Sequence, residues 1–295
     1  MSDGVIEVQG LSRSFGKSLV LDQISLDVQP GYVYGLVGAN GAGKTTLMKH
    51  LLGLLRAKQG TVRVFGKDPV KNPVEVLGKI GYLSEERDLP EWMRIDELLS
   101  YTKAYYPGWD SAYAQQLVNE FGLNPSKKVK QLSKGMRAQA GLIAAVAHHP
   151  ALLLLDEPST GLDAVVRKDI LSAIVRTVAD AGRTAIFSSH LLDEVELMSD
   201  YLFMIDRGRL VLHGSLDAVR QQHRLLNIYF ANAMDAFPQS NGMLSASGSD
   251  KHWTVICEGG GGEVARSLSE CGGVVTQDRM ASLQEIFIAR ARKSS

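Results

Sequence analysis

One glycine-rich run constrains this chain more than any other feature. Gly38, Ala39, Asn40, Gly41, Ala42 and Gly43 lead into Lys44, Thr45 and Thr46 with the spacing of a P-loop. Residues 32–37 before it are continuously apolar and read as a buried strand. Residues 44–55 after it read as a helix with Leu47, Met48, Leu51 and Leu52 on one face. A strand, a glycine loop and a helix N-terminus in that order turn backbone N–H groups toward one point, and the helix dipole favours negative charge there. Phosphate is the ligand that suits such a loop. Lys44 is then placed to reach the β- and γ-phosphates of a nucleotide, and Thr45 to offer its hydroxyl to Mg²⁺.

A metal beside phosphate also needs a carboxylate. The apolar run Leu152, Leu153, Leu154 and Leu155 ends on Asp156, the place of a Walker B aspartate. Glu157 follows directly. On a strand its side chain projects differently from that of Asp156, toward a γ-phosphate, where it could orient or deprotonate the attacking water. Taken alone, the same pair also describes a solvated turn, and it is the P-loop that favours the chemical reading.

The rest of the chain supplies the scaffold. Residues 5–8 and 20–28 alternate like strands, with Ile24, Leu26 and Val28 at every second position, and predict a β-rich N-terminal region. Between 95 and 149 the pattern is helical, over 96–104, 111–121 and 134–149, closed by Pro150. A strand at 152–155, a helix at 164–181 ended by Gly182 and a strand at 184–188 then alternate, which implies a parallel sheet covered by helices. Segments 201–205 and 210–213 flank Asp206, Arg207 and Gly208 as a hairpin on the sheet edge. The expected fold is α/β: a P-loop NTPase sheet with an antiparallel β region, a helical subdomain at about 90–150 and an ATP-binding domain closing near 220. Residues 221–295 predict a small α+β domain with strands at 225–230, 252–257 and 273–277 and helices at 263–271 and 283–292. The runs at 245–249 and 259–262 read as loops.

With these pieces in order the chain resembles the ATP-binding-cassette (ABC) family over roughly residues 5–220. Leu132, Ser133, Lys134, Gly135 and Met136 resemble its signature sequence, although Lys134, Ala138 and Gln139 depart from the commoner residues. The resemblance implies that Ser133 and Gly135, at a helix N-terminus, bind the γ-phosphate of an ATP held by a facing subunit. Ser133 is equally suited to capping that helix. Residues 160–163 resemble the loop that crosses between subunits, and His190 the switch histidine near the γ-phosphate. Phe15 occupies the place of the aromatic that stacks on adenine. Glu85 stands where the family commonly has a glutamine that contacts Mg²⁺, and two readings of it stay open: a metal ligand with extra charge, or part of a solvated acidic loop with Glu86 and Asp88. Residues 127, 128, 130, 134 and 137 form a basic cluster around the signature, read mainly as a solvated surface. His148 and His149 read as a helix end favoured by its dipole.

Composition narrows the setting. With 45% hydrophobic and 22% charged residues the chain has enough apolar material for a sizeable core, and its formal net charge of zero gives no general attraction for nucleic acid. Cys257 and Cys271 lack zinc-site spacing and read as free thiols of a reducing compartment. The longest apolar stretches, 140–147 and 151–155, are too short to span a bilayer, and the N-terminus lacks the pattern of a signal peptide. The expectation is a cytoplasmic ATPase using ATP and Mg²⁺, pairing with a second ATPase subunit as a homodimer, and docked on the inner face of a membrane by an integral membrane permease. The stretch around the signature resembles separately encoded bacterial exporter ATPases for antibiotics or peptides. The alternative is a soluble cassette ATPase acting on nucleic acid or the ribosome, against which stand the single cassette and the absence of a basic balance.

Overall fold

The computed structural model describes residues 4–179, 182–232 and 237–293, and the chain forms two compact units that divide between Leu210 and Val211. In the first unit, β1 (Ile6–Phe15) and β2 (Ser18–Val28) pair antiparallel. Ile24, Leu26 and Val28 are buried and the residues between them exposed, so one face of this sheet is packed and the other solvated. β3 (Val33–Val37) runs into the glycine loop and α1 (Lys44–Leu51), and β4 (Gln59–Val64) returns beside β1. The three-stranded order is β2-β1-β4.

α2 (Pro73–Leu77) and β5 (Ile80–Leu83) precede three helices, α3 (Ile95–Lys103), α4 (Ser111–Glu120) and α5 (Lys134–Val146). Then β6 (Leu152–Asp156), α6 (Ala164–Ala179), β7 (Thr184–Ser189), α7 (Leu192–Met198) and β8 (Tyr201–Asp206) alternate, and β9 (Arg209–Ser215) follows. The sheet order is β5-β6-β7-β3-β8-β9, with β5, β6, β7, β3 and β8 parallel. Every residue of β6 and β7 is buried, and in β6 burial on both faces shows as the unbroken apolar run Leu152 to Leu155 rather than an alternating one. The end of the helix expected at 164–181 falls at 180–181, outside the described residues.

Several boundaries differ from the sequence reading. The first helix stops at Leu51 rather than 55, because Gly53 takes a left-handed φ of 72° and Leu54 is exposed. The signature helix stops at Val146, and His148 is no charged cap. It is buried and stacked on Tyr106 with ring centroids 3.8 Å apart, Nε2 lies 3.2 Å from the Ile80 carbonyl, and burial pushes its pKa down to about 4.

The second unit contains α8 (Leu216–Gln222), β10 (His223–Phe230), β11 (Met243–Ser249), β12 (His252–Glu258), α9 (Gly262–Glu270), β13 (Gly273–Met280) and α10 (Leu283–Lys293). Its antiparallel sheet has the order β11-β12-β10-β13. Leu226, Ile228, Phe230 and Val255 pack with Val264 and Leu268 of α9. The Ser/Gly run at 245–249 is therefore a strand and not a loop, since pairing with β12 overrides its weak β-propensity. Cys257 is buried, Cys271 is exposed, and neither is in a disulfide.

Candidate functional site

Because β5, β6, β7 and β3 are adjacent and parallel, their C-terminal ends lie side by side. The registers Leu83↔Leu155, Asp156↔Ser188 and Val37↔Ser189 show how closely they are matched. Each strand delivers a residue singled out above: Glu85 after β5, Asp156 and Glu157 at the end of β6, His190 after β7 and the glycine loop after β3. Open parallel sheets bind ligands at such strand ends. A cleft of about 460 Å³ opens there, lined by Phe15, Val20, residues 39–46, Glu85 and Glu157.

The glycine loop owes its shape to two close approaches. Gly43 has a φ of 112°, and a Cβ there would sit 2.7 Å from the Leu21 side chain. A Cβ on Gly38 would sit 2.5 Å from the Ile205 carbonyl oxygen. α1 starts at Lys44 with no side-chain cap and no acidic residue in its first turn, so its leading N–H groups are suited to an anion from the cleft. Lys44 Nζ donates to the carbonyls of Gly38 (2.7 Å) and Ala39 (3.4 Å) and lies 3.2 Å from Glu157 Oε1. Thr45 and Thr46 line the cleft. Phe15 is 47% exposed on its rim, with the Arg13 guanidinium 4.7 Å from the ring centroid.

The two carboxylates have different surroundings. Asp156 is fully buried; its Oδ1 accepts from Ser188 Oγ at 2.6 Å, whereas Oδ2 has no hydrogen-bond partner. Glu157 lies beyond the strand end with a left-handed φ of 48°, so this turn and not strand alternation directs its side chain. The Glu157 N–H donates to Ser188 Oγ at 2.9 Å. Its Oε2 accepts from Thr160 Oγ1 and lies 2.7 Å from His190 Nδ1. An ionised carboxylate only accepts, so Nδ1 carries the proton in this pair. Burial opposes ionisation of Glu157, but Thr160, Lys44 and His190 outweigh it and hold the pKa below its ordinary value.

Ser133 and Gly135 are not brought to this cleft. Ser133 Oγ accepts from the Met136 N–H at 3.2 Å as the cap of α5, and Gly135 is buried in the first turn of that helix. Sequence reasoning also passes over Ser188, Arg87 and Glu194. Arg87 sits among Glu85, Glu86 and Asp88 in a run that reads as solvated, yet it is buried. A metal fits the donor set: Asp156 Oδ2 is a buried oxygen without a partner, and Thr45 and Glu85 line the cleft. Among the described residues no group of three or more His, Cys, Asp or Glu side chains forms a metal cage. Mg²⁺ has no need of one, since it is usually held by one or two carboxylates, water and substrate phosphates.

The family model for ABC transporters matches residues 21–160. The chain is 33% identical over 222 residues to the bacitracin transport ATP-binding protein BcrA of Enterococcus faecalis, covering 75% of this chain and 72% of that one. It belongs to the ABC transporter ATP-binding proteins. ABC transporter ATP-binding protein YtrB of Bacillus subtilis is 28% identical over 286 residues, 97% of this chain and 98% of its own, so the similarity there extends through the second unit. Among solved structures, an ATP-binding subunit of an ABC transporter matches with a TM-score of 0.67 at 28% identity, over 73% of this chain and 92% of the other. The dimeric cassette MJ0796 shares the fold, with a TM-score of 0.64 at 19% identity over 72% and 98% of the two chains. This ABC protein is thus an ATPase, the ATP-binding and ATP-hydrolysing subunit of a transporter. No helix among its described residues is long and apolar enough to cross a membrane.

Proposed function

We propose that the cleft at the ends of β5, β6, β7 and β3 is where ATP is held and cleaved, and that the energy released drives export through a separate integral membrane permease. The observation that carries this reading is the convergence of the glycine loop, Asp156, Glu157, His190 and Glu85 on four neighbouring strand ends. Residues 38–46 cradle the phosphates and Phe15 takes the adenine. Lys44 leaves Glu157 for the β- and γ-phosphates. Thr45, Asp156 and Glu85 hold Mg²⁺, whose charge offsets that of the phosphate oxygens. Glu157, ionised across the neutral range, orients the attacking water and accepts its proton, while His190 holds the Glu157 carboxylate in place through Nδ1.

Ser133 and Gly135 act on the ATP of a second copy of the chain, completing each site across a homodimer. Glu157→Gln preserves binding while blocking the proton transfer, so sizing that variant should show a dimer only with Mg-ATP, and a further Ser133→Arg should abolish it. A Glu157→Gln chain that hydrolyses ATP at the normal rate would overturn the assignment of the base. Residues 1–220 form the ATP-binding domain, with its helical part at 90–150, and residues 221–295 an accessory α+β domain.

The protein is held at the inner face of the membrane by the permease. Relatives named for bacitracin transport, lantibiotic transport and daunorubicin/doxorubicin resistance favour an antibiotic or peptide as the exported class. Purification from detergent extracts of native membranes should recover an integral membrane protein with the chain. Recovery instead with ribosomes or DNA in an ATP-dependent manner would reverse the reading in favour of a soluble ATPase.

A further inference from the structure

Glu157 holds a left-handed φ of 48°, a conformation that costs a non-glycine residue energy and persists only where its surroundings impose it. The next three residues are held from two sides. Arg87 Nη2 donates to the carbonyls of Pro158 (3.3 Å) and Thr160 (2.9 Å). From the other side, Glu194 Oε2 accepts from Ser159 Oγ at 2.7 Å. Alternate groups of one tripeptide are thus gripped by two buried residues of opposite charge, Arg87 at 4% and Glu194 at 2% exposure. The same Glu194 oxygen accepts from Ser189 Oγ at 3.0 Å, and Ser189 immediately precedes His190. Arg167 Nε, 2.6 Å from Glu194 Oε1, offsets the Glu194 charge.

We propose that Arg87 and Glu194 form a clamp on residues 158–160 that positions Glu157 and His190 for hydrolysis without either clamp residue touching the nucleotide. The inference rests on the reading of Glu157 as the base. Glu194 ties Ser159, after β6, to Ser189, the last residue of β7, and the 2.7 Å contact between Glu157 and His190 links the same two segments a second time. Arg87 adds the loop after β5, two residues from Glu85, so the three segments bearing Glu85, Glu157 and His190 are fixed to one another. Buried charges that leave a loop in one arrangement suit a reaction in which displacement of a catalytic group by about 1 Å can cost about a hundredfold in rate.

The test is steady-state ATPase kinetics and binding of a non-hydrolysable ATP analogue, with thermal unfolding as the control for folding. Glu194→Ala and Arg87→Met should each lower kcat roughly 10- to 100-fold, the range of supporting residues around a site, and change analogue affinity less than about threefold. Because Nη2 alone makes both Arg87 contacts, Arg87→Lys keeps a donor able to reach one or both carbonyls and should recover part of kcat. Glu194→Gln keeps an acceptor for the two hydroxyls and should do likewise. Ser159→Ala and Ser189→Ala remove one arm each and give milder versions should Glu194→Ala not fold. In a Glu157→Gln background the clamp variants should cause little further loss, since residues acting through one another are not additive. Full losses in that background, or clamp variants of normal kcat in a chain that Glu157→Gln inactivates, would overturn the clamp and leave the base standing. A fully active Glu157→Gln would instead remove the reading on which the clamp rests.

Discussion

The Lys44–Glu157 contact makes Glu157→Gln informative before any catalysis is measured. Both side chains are 6% exposed and 3.2 Å apart, so without nucleotide the ammonium is neutralised by the residue assigned to activate water. Removing one partner of a buried pair costs about 3–5 kcal/mol, because a charge is left uncompensated. Here Lys44 keeps the carbonyls of Gly38 and Ala39, and the new amide can still accept from Thr160, which brings the expected cost to about 2 kcal/mol. In a unit of this size that lowers the nucleotide-free Tm by about 4–8 °C.

The penalty belongs to the nucleotide-free state alone. Once phosphate oxygens take over Lys44, the substituted amide costs little, so the variant should bind ATP roughly 30-fold more tightly, each tenfold being about 1.4 kcal/mol. Thermal unfolding in EDTA gives the first quantity. Calorimetric titration of wild type and variant with a non-hydrolysable ATP analogue and Mg²⁺ gives the second. An unchanged or raised nucleotide-free Tm together with equal affinity would refute the argument that Glu157 competes with phosphate for Lys44.

Three further outcomes follow from the same geometry. Since the Glu157 pKa is lowered in the folded chain, its stabilisation is fully present above its ordinary value of 4.5 and is lost as pH falls through the lowered one; the Tm gap between wild type and Glu157→Gln should close on acidification, and a gap constant with pH would count against the pair. Asp156→Asn keeps an acceptor for Ser188 and removes a buried charge, so the nucleotide-free Tm should hold or rise, while the gain of about 2.7 kcal/mol given by Mg-ATP at a hundred times its Kd should fall away; a full Mg-ATP gain would exclude Asp156 as the metal's carboxylate. Glu85→Gln removes one ligand charge and should raise the Mg²⁺ concentration giving half-maximal ATPase several-fold, whereas an identical titration would return Glu85 to a solvated loop.

The strands that carry the site are legible in the sequence for physical reasons that differ between elements. Burial on both faces turns β6 into an uninterrupted apolar run ending in a carboxylate, and the spacing around Lys44 is that of a P-loop set between a strand and a helix. What escapes depends on partners distant in the chain. β5 offers only Ile80–Leu83, too short for periodicity to declare itself, and its place in the sheet comes from pairing with β6. Arg87 reads as solvent-facing beside its acidic neighbours, because the carbonyls it grips belong to residues 71 and 73 positions further on. Glu194 lies in the short helix α7, and its contacts with Ser159 and Ser189 arise only when the ends of β6 and β7 are neighbours. The strip at 245–249 reads as a loop from its serines and glycine, yet strand formation there is decided by β12 and not by local preference.

The position of the signature bears on how binding and association are linked. Ser133 caps α5, a helix of 13 residues with no acidic residue in its first turn, and so presents a helix N-terminus compatible with an anion. It does not line the cleft that holds Lys44, Thr45 and Glu157. If the γ-phosphate is to gain contacts from Ser133 and Gly135, those of another copy must supply them. ATP can then drive association only by the amount that it binds the paired chains better than the separate ones. In that arrangement cleavage would remove the group that both chains hold, and the preference for the pair would fall with it. On that reading a cycle of closing and reopening would follow from the difference in affinity alone, and would offer a membrane partner two states between which to alternate.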